Sequence, residues 1–162
     1  GNSTGAAIYL DYADAGIIEN TIINNPRGPG IEAFGTVWNT YFNNSISSTL
    51  STAFYEQTND YAYSSESVFQ NNYFYSGQNT AMYLYQGHGN SIINNTIISD
   101  AASGLYLNLC NNNTMRNNTI SGITYGYLDM GENNDLDDSN IIIDNWCFLI
   151  KKVIAFYMQT LI

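Results

Sequence analysis

The chain has 162 residues, a formal net charge of −10 and only 11% charged residues. That length suits a single domain, and four Lys and Arg against fourteen Asp and Glu exclude nucleic acid as an expected partner, because phosphate binding needs a basic stripe. Much of the polarity is Asn, Ser and Thr, which suits an extracellular or cell-surface setting.

From Gly5 onward the chain reads as short segments in which apolar residues alternate with others, a strand signal. No stretch before residue 146 carries a convincing helical period. One pattern recurs six times, an Asn with an apolar residue three before it and another two after it. The sets are Ile17/Asn20/Ile22, Tyr41/Asn44/Ile46, Phe69/Asn72/Phe74, Ile92/Asn95/Ile97, Met115/Asn118/Ile120 and Ile142/Asn145/Cys147. Between the first two sets, Pro26-Arg27-Gly28-Pro29-Gly30 reads as a turn. Two longer spacings predict insertions, at Gln57 to Glu66 and at Gly131 to Ser139. The only cysteines, Cys110 and Cys147, are expected to be separate apolar thiols. The organisation expected is repeats over 1–147, then an apolar tail over 148–162 that caps the array, begins a truncated membrane anchor, or is an artefact. The chain is expected to be a piece of a longer protein, and a membrane enters only through such a missing anchor.

A period of about 23 residues is too short for helical repeats, and the low leucine content per unit argues against leucine-rich repeats. Three short strands and turns in one such unit describe a coil of an all-β solenoid of about six coils, stacked at the strand spacing of ~4.8 Å. Equivalent asparagines would then lie above one another as a hydrogen-bonded ladder of Asn20, Asn44, Asn72, Asn95, Asn118 and Asn145, because each amide both donates and accepts. These residues, over roughly Gly5 to Cys147, resemble the parallel β-helix repeat family, pectin-lyase-like proteins that include NosD-like repeats. The resemblance implies a right-handed parallel β-helix and leaves function open, because this fold hosts lyases, hydrolases, tailspikes and adhesins.

Tyr9, Tyr55, Tyr83 and Tyr106 fall at or near the outward position of the first strand in their coils, with Glu32 and Asp129 expected in that place in the other two. A row of aromatic rings with polar tips suits sugars or protein partners, and equally suits strands. His88 lies in Gly87-His88-Gly89, similar to a motif of polygalacturonase-type hydrolases. It lacks their aspartates, and glycosidic hydrolysis takes two carboxyl groups, so the preferred reading is a turn. Arg116 lacks the carboxylate cluster of the related lyases. The acidic loop Glu132, Asp135, Asp137 and Asp138 is a candidate Ca²⁺ site by ligand type, although a solvated charge run is the simpler reading. No cofactor is expected otherwise. One His, four Met and scattered Cys give little support to NosD-like copper handling. The sequons at Asn2, Asn43, Asn94, Asn112 and Asn117 arise mostly where the repeat already favours Asn-Asn-Ser/Thr. The expected function is a surface-exposed structural or binding segment resembling Asn/Thr-rich adhesin-like proteins, with carbohydrate or a surface protein as partner. The alternative is a fragment of a carbohydrate-active enzyme, a polysaccharide lyase or glycoside hydrolase.

Overall fold

A computed structural model describes residues 5–25, 27–58 and 65–144. Each turn of the chain contributes three short strands. The first coil is β1 (Ile8–Asp11), β2 (Ile17–Glu19) and β3 (Ile22–Asn25); the second is β4 (Ile31–Phe34), β5 (Thr40–Phe42) and β6 (Ser45–Ser48). The third is β7 (Phe54–Gln57), β8 (Val68–Gln70) and β9 (Tyr73–Ser76); the fourth is β10 (Met82–Tyr85), β11 (Ser91–Ile93) and β12 (Thr96–Ser99). The fifth is β13 (Ser103–Asn111), β14 (Thr114–Arg116) and β15 (Thr119–Gly122); the sixth is β16 (Tyr125–Glu132), β17 (Asp135–Leu136) and β18 (Ile141–Asp144). Every strand pairs in parallel with its counterpart one coil away, giving three six-stranded sheets. Sheet A holds the first strand of each coil, sheet B the second and sheet C the third.

Alternation within each strand decides what is inside. In β10 Met82 and Leu84 are fully buried while Tyr83 and Tyr85 face out. One inward row of each sheet is apolar and continuous: Ile31, Phe54, Met82, Leu105 and Tyr127 from sheet A, Tyr41, Phe69, Ile92 and Met115 from sheet B, and Ile46, Phe74, Ile97 and Ile120 from sheet C. Identical positions stack, so Tyr41 lies on Phe69 with ring centroids 4.8 Å apart and planes 7° from parallel, and Phe54 meets both edge-on. Such aromatic pairs add stability beyond the area they bury.

Corners between strands are held by buried polar rows. At the B–C corner the amide Oδ1 of each ladder residue accepts from the backbone N–H and the Nδ2 of the previous coil. Asn95 accepts both from Asn72, at 2.9 and 3.0 Å, and its own Nδ2 reaches the Phe69 carbonyl at 2.9 Å. Asn72 and Asn118 repeat this geometry, and Asn44 keeps the carbonyl contact, donating its Nδ2 to Ile18 at 2.8 Å. The two ends of the expected ladder need correction. Thr21, not Asn20, donates its N–H to Asn44, and strand register pairs Ile18 with Tyr41 and Ile23 with Ile46, one residue later than the repeat pattern suggests. At the other end Asn140 accepts from Asn118 at 2.9 and 2.8 Å, so it fills the rung expected of Asn145. Asn145, Cys147, the tail 148–162 and the Asn2 sequon lie outside the described residues. The sixth coil therefore has no insertion at Gly131 to Ser139, because that segment forms the end of β16, all of β17 and the following corner. The five extra residues of the third coil do exist. They lie between β7 and β8, since β4 meets β7 at an offset of 23 whereas β5 meets β8 at 28.

A division of labour explains the repeated Asn-Asn pairs. The first of each pair, Asn43, Asn71, Asn94 and Asn117, has φ between 52° and 58°. Asn tolerates this left-handed backbone better than most residues, and here it turns the chain and points outward. The second residue turns inward and carries the ladder. Asn20 belongs to the outer row, where its Oδ1 accepts from Asn43 Nδ2 at 2.7 Å. Two further rows appear. At the A–B corner Asn39, Ser67, Asn90, Asn113 and Asn134 form a second ladder, and at the C–A corner Ser48, Ser76 and Ser99 donate to carbonyls of the preceding coil at 2.7–2.8 Å. These rows satisfy most buried polar groups of the corners; the Nδ2 of Asn90 has no hydrogen-bond partner among the described residues.

Candidate binding face

The outward face of sheet A carries two rows. Tyr9, Glu32, Tyr55, Tyr83, Tyr106 and Leu128 pair in register, followed two residues later by Asp11, Phe34, Gln57, Tyr85, Asn108 and Met130. Leu128 stands where Asp129 was expected. Asp129 instead pairs with Leu107 of the inward row, and its carboxylate accepts from the Tyr127 hydroxyl at 3.1 Å and from Asn134 Nδ2 at 2.9 Å.

The four stripe tyrosines do not form one platform. Tyr83 and Tyr106 are stacked, centroids 4.8 Å apart and planes 7° from parallel, and Tyr55 leans on Tyr83 at 5.3 Å. Where rings lie face to face along the coil axis, their faces are spent on each other and their edges point outward. Their hydroxyls are occupied too. Tyr55 donates to Gln57 Oε1 at 2.8 Å, Tyr83 accepts from Asn108 Nδ2 at 2.9 Å, and Tyr106 lies 3.0 Å from the Met130 sulfur. Partial burial holds the Tyr55 and Tyr106 phenols above the ordinary range, which favours their neutral forms.

Open aromatic surface gathers at the A–B corner of the first two coils. Tyr9, Tyr12 and Trp38 are 57%, 59% and 60% exposed. Tyr12 packs edge-on against Phe34 at 5.6 Å, and its ring lies over Gly35, where a Cβ would come within 2.6 Å of it. Trp38 holds φ 59°, a conformation that costs a bulky residue energy. The surroundings over-determine it. Its N–H donates to the Ser65 carbonyl at 2.7 Å, its indole Nε1–H to Glu66 Oε2 at 3.1 Å, and the next residue, Asn39, is a rung of the second ladder. Asp11, Asp14 and Glu32 edge the cluster, and Asp11 and Glu32 help to hold the exposed Tyr9 phenol above its ordinary range, behind its partial desolvation. Trp38, Tyr12 and Phe34 were missed in the sequence. The signal was there: Trp38 immediately precedes Asn39, in a ladder hidden because Ser67 and Gly16 interrupt its asparagines.

A family model described as a right-handed beta helix region matches residues 1–148. The chain belongs to the right-handed β-helix family. No curated protein and no solved structure matches it. Membership settles the coil and not the chemistry, so the remaining candidates are judged by where the β-helix puts them. His88 braces three coils: its Nδ1 accepts from the Asn111 N–H at 3.0 Å and its carbonyl accepts from Ser65 and Glu66. Burial pushes its pKa down, which favours the neutral ring. Arg116 sits on the outside of β14 beside Asp137, 3.8 Å away. The acidic residues are dispersed. Glu132 ends β16, Asp135 pairs with Thr114 in β17, and Asp137 caps the following turn through the Ser139 N–H at 2.8 Å. Among the described residues no three His, Cys, Asp or Glu side chains converge on a metal-sized site. Cys110 is buried, its thiol pushed up to about 12 by that burial, and it donates to the Leu84 carbonyl at 3.1 Å.

Proposed function

We propose that this β-helix is a surface-exposed binding segment of an adhesin-like protein, and that it takes carbohydrate at the A–B corner of its first coils. The observation that carries the reading is Trp38, held by neighbouring coils in a costly backbone conformation with most of its indole open. Rigid, exposed Trp38, with Tyr12 on the same corner and Tyr9 on the adjoining strand, supplies ring faces, and the carboxylates of Asp11, Asp14 and Glu32 supply acceptors for sugar hydroxyls. With no Lys or Arg at this corner among the described residues, neutral or amino sugars fit better than uronates. The Tyr55, Tyr83 and Tyr106 stack continues the face as a firm edge. A surface protein is the other partner this face suits, since exposed Trp and Tyr are common binding anchors.

Affinity electrophoresis through gels containing neutral, amino and acidic polysaccharides tests the reading. Retardation of the wild-type chain by a neutral or amino polysaccharide, weakened on Trp38→Ala, is expected. Equal mobility of both proteins in every gel rejects it.

A further inference from the structure

A second concave surface lies at the B–C corner, beyond the face just proposed. A groove of about 490 Å³ runs across the first coils there, lined by the outer asparagine row and by Ser45, Tyr73 and Thr96 on the flanking strands of sheet C. We propose that this groove binds a neutral, hydroxyl-rich glycan chain laid along the coil axis.

The donor and acceptor set argues for it. Each outer Asn already has its backbone N–H fixed to the next coil, Asn71 to the Ile93 carbonyl and Asn94 to the Arg116 carbonyl, at 3.1 and 3.0 Å. The left-handed backbone at these positions turns the amide side chains outward. Asn43 spends its Nδ2 on Asn20, but the side-chain amides of Asn71 and Asn94 have no hydrogen-bond partner among the described residues. Each offers two donors and an acceptor, repeated at the coil spacing of ~4.8 Å, close to the length of one pyranose ring in an extended chain. Tyr73, 39% exposed, stands at the same row position as Ser45 and Thr96 and adds an apolar ring beside the amides. No carboxylate, Lys, Arg or His lines the groove, so nothing there compensates a charged sugar.

The two sites share no residue, so their failures separate. Glycine keeps the left-handed backbone while deleting the amide, which makes Asn71→Gly/Asn94→Gly the informative variant and Tyr73→Ser a second one that copies Ser45. The chain is made without N-glycosylation, because Asn43 and Asn94 head sequons. Side-chain amide NMR signals are followed during titration with cellohexaose, mannohexaose and, for contrast, hexagalacturonate. The Asn71 and Asn94 amide signals are expected to shift with a neutral hexasaccharide, with affinity about tenfold weaker in each variant, as for lost hydrogen bonds or stacking, and unchanged in Trp38→Ala. Unmoved amides with both neutral sugars overturn the inference, as does an equal response to hexagalacturonate. Binding that survives both groove variants and disappears in Trp38→Ala overturns it too, while leaving the A–B corner reading intact.

Discussion

Neighbouring asparagines in one Asn-Asn pair are expected to respond oppositely to substitution. Asn95→Ala removes the acceptor for the Asn72 N–H and Nδ2 and the donor to the Phe69 carbonyl, all buried, so a loss of about 3 kcal/mol or more is expected from orphaned groups. Asn94→Gly keeps φ positive and is expected to change stability by less than about 1 kcal/mol. Urea denaturation of the two variants checks this. Glu56 is the opposite kind of residue. It points inward between Ala33 and Leu84, fully buried, and neither carboxylate oxygen has a hydrogen-bond partner. The nearby Tyr41 and Thr36 hydroxyls are unpartnered as well, and the Ser65 hydroxyl is engaged with Asn90 at 2.8 Å. Burial pushes Glu56 up from 4.5 to about 8. The folded state then holds a proton that the unfolded chain releases. Its contribution to stability is fully present below pH 4.5, declines as pH rises, and is gone above about 8, a swing on the order of 5 kcal/mol. Glu56→Gln is expected to flatten the denaturation midpoint between pH 5 and pH 9; an unchanged slope in that variant contradicts the assignment.

At the scale of elements, the strands of sheet A show why a side-chain pattern is not yet a site. Alternation placed Tyr83 and Tyr106 outward, and register pairs them one above the other. What the pattern could not convey is that equal spacing lets the rings face each other, which turns a supposed platform into a stack. Tyr83→Phe is therefore expected to leave polysaccharide retardation unchanged, and Tyr83→Ala to cost about 1 kcal/mol of stability through the lost ring pair. Residues 81–84 and 104–107 were legible as equivalent because nothing interrupts the repeat between them. The last coil was not, since β13 carries an extra residue around Leu109, at φ 55°, relative to β16. Before that bulge, the turn from β15 to β16 is one residue shorter than the turn from β12 to β13, which moves Leu128 into the row expected of Asp129, and the shorter step from Asn118 to Asn140 put the rung where no repeated motif marked it. The first coil slipped for a related reason, because Thr21 supplies only a backbone N–H to the ladder.

For the molecule as a whole, coil number and sheet layout were legible because each coil touches only its neighbours, so a period in sequence becomes a period in space. Function was less legible. The fold stacks like upon like, whereas the candidate binding corner depends on what breaks the repeat: Trp38 in place of Asn or Gly, Gly35 making room for Tyr12, and Glu66 reaching back across a coil to the indole. Such contacts join residues about a coil apart without a motif to announce them. One measurement bears most directly on the claim that this chain holds a glycan rather than cutting it. The polysaccharide that retards the wild-type chain is incubated with it, then assayed for new reducing or unsaturated ends and for chain length by size exclusion. Polymer recovered at its original length, together with Trp38-dependent retardation, is the expected result. New chain ends that appear with the wild type and vanish with His88→Ala would contradict it.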